Sequence, residues 1–175
     1  MAEPALKRDK ETVKPDGKEV TKLPHGVSFY ESKTHVDDRG TLCEMFNPSW
    51  GWHKVPLKYA YFITIRPGKV KGWAVHRHHE DRYFIMFGDL ELVLYDSRKN
   101  SPTYKKVFKI YLSEKNRRAI NIPAGVYHAI QNIDDRDVIL ANFPTKLFDY
   151  KNPDKYRLPY NTKEIPHNFD APRGW

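Results

Sequence analysis

His76-Arg77-His78-His79-Glu80-Asp81 lies at the junction of two strand-like runs, Val70 to His78 and Arg82 to Phe87, the second closed by Gly88-Asp89. Short runs of β-branched and aromatic residues bounded by turn dipeptides read as strands. Continued to His78, the first strand points His76 and His78 to one face, because side chains alternate with a period of two.

The same texture extends both ways. Strands are expected at Val27 to Tyr30, Thr41 to Phe46, Tyr59 to Ile65, Val70 to His78, Arg82 to Phe87, Leu90 to Tyr95, Lys105 to Leu112, Ala119 to Ile122, Tyr127 to Ile133 and Asp137 to Phe143. Pro67-Gly68 and Gly88-Asp89 mark hairpins, since Pro presets the entry to a turn and Gly accepts positive φ. Many short strands with regular turns argue for an all-β sandwich or barrel.

A second constellation, Pro123-Ala124-Gly125-Val126-Tyr127-His128 followed by Asn132, has the Pro and Gly of a tight turn that launches a strand. Tyr127 and His128 then face opposite ways, and His128 would meet the first pair of imidazoles. Three imidazoles, with Asp81 as the acid, form a donor set for Zn, Fe, Ni or Mn. The plainer alternative is two exposed strand histidines and one hydrogen-bonded core histidine.

The rest of the chain bounds these readings. Its 175 residues, 39% hydrophobic and 14% aromatic, suit one domain with a sizeable core. Residues 1–24 hold six Lys/Arg and five Asp/Glu without an aromatic residue, and are expected as a loose, charged leader. The barrel is expected over 25–150. A Pro- and Tyr-rich tail over 151–175 should pack on it irregularly, since Pro153, Pro159, Pro166 and Pro172 exclude helix or central strand.

A net charge of +8 suggests an anionic partner. No Lys/Arg run reaches five residues and no nucleic-acid-binding motif is present, so nucleic acid is not the expected partner. Cys43 is the lone cysteine, which excludes an internal disulfide and suits a reducing cytoplasm. The N-terminus has no apolar core of a signal peptide and no stretch is long enough for a membrane helix, so a soluble cytoplasmic protein is expected.

Together the two constellations resemble the cupin motifs. The second matches Pro-x-Gly-x-x-His-x-x-x-Asn in full; in the first, His-x-His is followed by an acid seven residues before Gly88. That resemblance implies a double-stranded β-helix, or jelly roll. The acid is Asp81 where metal-binding cupins usually have Glu, and the stretch from His78 to Asp81 is shorter than theirs.

Asp38-Arg39-Gly40 with Glu44 and Phe46, then Asp96-Ser97-Arg98, Leu112-Ser113-Glu114 and Ile122 to His128, resemble the dTDP-4-dehydrorhamnose 3,5-epimerase family over roughly residues 27–170. The tail, with Asn142-Phe143-Pro144-Thr145 and Tyr156-Arg157-Leu158-Pro159, resembles a divergent, epimerase-related branch. The resemblance implies an isomerase of polysaccharide or lipopolysaccharide biosynthesis acting on a dTDP-4-keto-6-deoxyhexose or similar nucleotide sugar. It also implies a homodimer that exchanges N-terminal strands.

By the same resemblance His76 matches the catalytic base, with His78 or His128 assisting. Arg39, Glu44 and Phe46 fall where the nucleotide binds. Lys71, Arg82, His128 or a metal would stabilise the enolate formed next to the ketone. Asn142, also expected to contact the substrate, aligns with the family's general-acid Tyr and has no phenol to donate. No cofactor is required by this reading, although His76, His78, Asp81 and His128 would take a divalent metal. Two alternatives stand beside the epimerase: a metal-dependent cupin enzyme, and a sugar-nucleotide-binding cupin without catalysis.

Overall fold

Alternating apolar positions need a second surface to cover them, and here two β-sheets cover each other. The computed structural model describes residues 8–17, 19–170 and 173–174. Its strands are β1 (Ser28–Glu31), β2 (Thr34–Asp37), β3 (Gly40–Cys43), β4 (Tyr61–Ile65), β5 (Lys69–Val75), β6 (Asp81–Phe87) and β7 (Asp89–Asp96). They continue as β8 (Val107–Ser113), β9 (Arg118–Ile122), β10 (Val126–Asn132), β11 (Val138–Asn142), β12 (Tyr156–Arg157) and β13 (Arg173–Gly174). Among the described residues the one helical element is a 3-10 turn at Pro48–Trp50.

One sheet runs β1-β9-β6-β11-β4 and the other β12-β5-β10-β7-β8, with β13 added beside β5; β2 and β3 form a separate hairpin. The ladders among the named strands are antiparallel except for β13 on β5. This is the all-β, cupin-type jelly roll that the motifs imply. Ile85, Leu92, Leu94, Ile120, Val138 and Leu140 fill the space between the sheets. Burying each such side chain stabilises the fold by about 1.5–3 kcal/mol.

Gly88 turns β6 into β7 with φ +82°, and a Cβ there would meet Val138 Cγ2 at 2.9 Å, so both backbone and space demand glycine. Its N–H donates to Glu114 Oε2 at 2.9 Å, which ties the hairpin to the end of β8.

Each expected strand has a counterpart, but three strands were not foreseen. β2 is exposed throughout and has no apolar face to betray it. β12 and β13 are two residues each. The first expected strand of the histidine region ends early, at Val75 instead of His78.

From the leader, Glu19 pairs with Arg118 at 3.2 Å and Leu23 packs against the main core. Met1 to Lys7 and Lys18 lie outside the described residues. In the tail Ile165 is buried and packs with Trp73, as do Leu158 and Phe169. Among the described residues no helix is long and apolar enough to cross a membrane.

Candidate active site

The end of β5 explains the histidine geometry. Beyond Val75 the chain bends over Arg77 and His78, and the Asp154 carboxylate holds the bend by accepting the N–H groups of Arg77 at 2.9 Å and His78 at 2.8 Å. The His79 Nδ1 lies 2.8 Å from the same carboxylate. His76 Nδ1 bonds the main-chain oxygen of Asp154. Alternation applies to strands and not to a bend, so His79 comes to lie against His76, the rings tilted with centroids 3.9 Å apart. His78 is exposed and outside this cluster. The expectation that His78 joins His76 as catalytic partner or metal ligand is corrected accordingly.

Asp81 opens β6 and is 2% exposed. Its Oδ2 lies 3.1 Å from His76 Nε2 and 3.4 Å from His128 Nε2, while Oδ1 accepts from Asn142 Nδ2 at 2.9 Å. Burial opposes the charge on Asp81, but the hydrogen bond from His76 and the neighbouring imidazoles outweigh it and hold the carboxyl well below its ordinary value. Burial also opposes charge on His76, yet Asp81 prevails there and raises its pKa. At His128 burial wins: its pKa is lowered to about 4, and the ring is neutral near pH 7.

Next to this cluster lies a cavity of about 120 Å³ bordered by His128, Tyr61, Tyr83, Lys71, Lys155 and Arg157, with Ile63, Ala74 and Ile130 as its apolar wall. Two phenols flank Asn142 across the ladders, Tyr61 opposite it on β4 and Tyr83 opposite it on β6. Residues paired this way share a face, so all three look inward. Asn142 Nδ2 donates to the Tyr61 hydroxyl at 2.8 Å. Tyr83 is fully shielded, and burial together with the Asp81 charge and hydrogen bond pushes its pKa far up. Burial, then Arg157, lowers the pKa of Lys155, a sign of cations crowded at one mouth.

The remaining expected residues divide. Lys71 and His128 border the cavity, whereas His76 is not among its lining residues. Arg82 is fully buried: its guanidinium donates to the carbonyls of Phe143, Val55, Pro56 and Pro144 and lies over the Phe46 ring at 4.6 Å. It is therefore a staple between loops and not a substrate contact. Phe46, packed against Phe143 and Trp50, belongs to that staple too. Arg39 sits on the exposed β2–β3 hairpin, paired with Asp37, and Glu44 accepts from Asn47; neither borders the cavity of its own chain. Asn142 borders the polar cluster through its two amide bonds.

Sequence reasoning missed His79, Asp154, Tyr61, Tyr83, Lys155 and Arg157. Tyr61 and Tyr83 were within predicted strands, and counting two residues on from Asp81 would have put Tyr83 on its face. Nothing local marks Asp154 or Lys155, which reach the site only because β12 docks on β5.

The donor set also suits a divalent ion. Both imidazoles turn Nε2 toward one carboxylate oxygen while Nδ1 faces a main-chain carbonyl, Asp154 for His76 and Val126 for His128. Metal-binding histidines are held in this way. Four-coordinate ligands with bonds of about 2.1 Å stand about 3.4 Å apart, close to the separations found here. His76, Asp81 and His128 would hold such an ion.

Comparison with known proteins bears on this site. The dTDP-4-dehydrorhamnose 3,5-epimerase family model matches residues 21–169. The probable low-salt glycan biosynthesis epimerase Agl13 of Haloferax volcanii is 33% identical over 150 residues, covering 84% of this chain and 95% of its own. The dTDP sugar isomerase of Desulfovibrio desulfuricans superposes with a TM-score of 0.78 at 23% identity, over 83% of this chain and 93% of that one. An epimerase of Legionella pneumophila solved with dTDP-4-keto-L-rhamnose superposes with a TM-score of 0.70 at 20% identity, over 83% and 78%. With the jelly roll, its inward histidines and this match along most of the sequence, the chain belongs to the dTDP-4-dehydrorhamnose 3,5-epimerase family.

Proposed function

We propose that this protein epimerises a 4-keto nucleotide sugar by removing a proton from a carbon next to the ketone. One observation carries the reading: neutral His128 borders a cavity that also holds a lysine and two phenols, with Asp81 and His76 behind it to take up charge. A neutral imidazole is able to accept the α proton, and the adjacent carboxylate stabilises the imidazolium that results. Lys71, on the cavity wall, meets the negative charge that grows on the ketone oxygen. His76 then works through Asp81, which moves the role of direct base from His76 to His128.

Lys155 and Arg157 at the mouth suit a diphosphate, and the ligand of the Legionella structure supports a dTDP-linked 4-keto-6-deoxyhexose as the substrate class. Arg39 reaches a nucleotide in this reading from a second copy. Val36 and Leu42 on its hairpin are 74% and 62% exposed, an apolar surface suited to a homodimer contact. The lone Cys43 fits work in the reducing cytoplasm.

The test is incubation of metal-stripped protein with dTDP-4-keto-6-deoxyglucose in D₂O, following deuterium at C3 and C5 by NMR. Exchange lost in His128→Ala supports enolisation by this cluster. Exchange at one carbon makes the protein a single-site enzyme, an epimerase or one like a ketoisomerase. A wild type that exchanges at neither carbon removes this substrate class.

A second reading has a specific observation in its favour, the shared orientation of both Nε2 atoms toward Asp81. An ion held by His76, Asp81 and His128 would polarise the ketone as a Lewis acid. Stoichiometric metal in the purified protein, with exchange lost on chelation and restored by the ion, would establish that reading. The binding-only alternative rested on the lack of a phenol at 142, and phenols stand on both sides of it.

A further inference from the structure

Inversion of a carbon needs a proton removed on one face and another delivered on the opposite face. The cavity offers two phenols for delivery, and their surroundings distinguish them. Tyr83 is deeply buried beside the Asp81 carboxylate, and burial and that charge hold its proton in place. Tyr61 is in the opposite state. The Asn142 amide donates to its oxygen at 2.8 Å, which occupies a lone pair and leaves the phenol proton uncommitted. Among the described residues the Asn142 amide is the hydrogen-bond partner of this hydroxyl, and it donates. Tyr61 is 38% exposed where Tyr83 is 4%, so it stands nearer the mouth and solvent.

We propose that Tyr61, held by Asn142, is the residue that delivers a proton to the substrate enolate. The assignment rests on the epimerase reading above. In the step, the C–H bond next to the ketone breaks toward the imidazole of His128 and its electron pair enters the enolate. The enolate carbon then takes the phenol proton as the O–H bond breaks, leaving Tyr61 as phenolate. The phenolate recovers a proton from water at the mouth and the imidazolium releases one, so the cycle returns both groups unchanged. Asn142 thus serves as the positioning residue, its amide donor steadying the phenolate while the charge is present.

This division predicts that removal and delivery come apart in a variant. Wild type, Tyr61→Phe and Tyr83→Phe would be incubated with dTDP-4-keto-6-deoxyglucose in D₂O, with deuterium entry and configuration at C3 and C5 read by NMR and melting temperatures taken in parallel. Tyr61→Phe is expected to melt near wild type and to exchange deuterium within about tenfold of wild type, because the base returns a solvent deuteron to the same face. Its inversion should fall about a hundredfold or more, the usual worth of a general acid. Tyr83→Phe, which disturbs Asp81, should lower exchange and inversion together.

Inversion at the wild-type rate in Tyr61→Phe would overturn the assignment. So would a parallel fall of exchange and inversion with a lower melting temperature, since that marks a structural role. A wild type inert at both carbons overturns the epimerase reading and this assignment with it, whereas active wild type with normally inverting Tyr61→Phe overturns the assignment alone.

Discussion

His76 and Asp154, separated by 78 residues of sequence, are joined by a hydrogen bond from the imidazole Nδ1 to the Asp154 main-chain oxygen at 2.5 Å. The Asp154 side chain meanwhile holds the bend that follows His76. One residue of the tail thus orients the ring and the chain that carries it.

Asp154→Ala should leave the two N–H groups of the bend and His79 without their acceptor, at a cost of about 2–3 kcal/mol. The main-chain oxygen remains, so the fold should survive. Deuterium exchange is expected to fall more than substrate affinity does, and Asp154→Asn, which keeps an acceptor oxygen, should recover part of the loss. Thermal melting and exchange kinetics on the three proteins check this.

Arg82→Met should cost about 3–5 kcal/mol, because four carbonyls lose the donor they share with a fully buried guanidinium. Whatever folded fraction remains should bind substrate with an unchanged KM, since the guanidinium points into loops and not the cavity. His78→Ala, at an exposed position outside the cluster, should leave stability and turnover as they are. A large rise in KM with little loss of stability for Arg82→Met would return that residue to the substrate.

Asp96 supplies a pH dependence. Fully buried, its carboxylate accepts from Arg98 Nε at 2.8 Å, from Ser101 Oγ at 2.5 Å and from Thr103 Oγ1 at 2.6 Å. Burial works against the charge, but the Arg98, Ser101 and Thr103 bonds prevail and hold its pKa below the ordinary value. A carboxyl depressed in the folded state stabilises above its unfolded pKa of about 3.9 and loses that contribution as pH falls below it. The melting temperature should therefore drop on acidification through this window. Asp96→Asn should melt lower at pH 7 and lose less over the same interval, as calorimetry at stepped pH would register.

The fold was legible because β propensity and turn chemistry agree: Gly88 and Gly125 fall where positive φ is needed, and each expected strand formed. Three of the motif residues, His76, Asp81 and His128, lie together. His78 does not join them, because a two-residue period says nothing about where a strand stops, and the stop at Val75 is set by Asp154 far along the chain. Arg82 reads from the sequence as a cation for the enolate, but its guanidinium serves carbonyls of distant loops. Tyr61 and Tyr83 were hidden by their likeness to core aromatics, since only the pairing across β11 shows that both flank Asn142.

The two short tail strands have a consequence for solubility. Without them one flank of β5 would present unpaired N–H and C=O groups, the kind of border on which a second molecule adds its own strand. β12 covers Ala74 and Val75, and β13 covers Lys69 and Val70, so both ends of that border are occupied from within the chain. A protein shortened before Tyr156 would carry an adhesive rim beside its histidine cluster, and self-association would be its first defect.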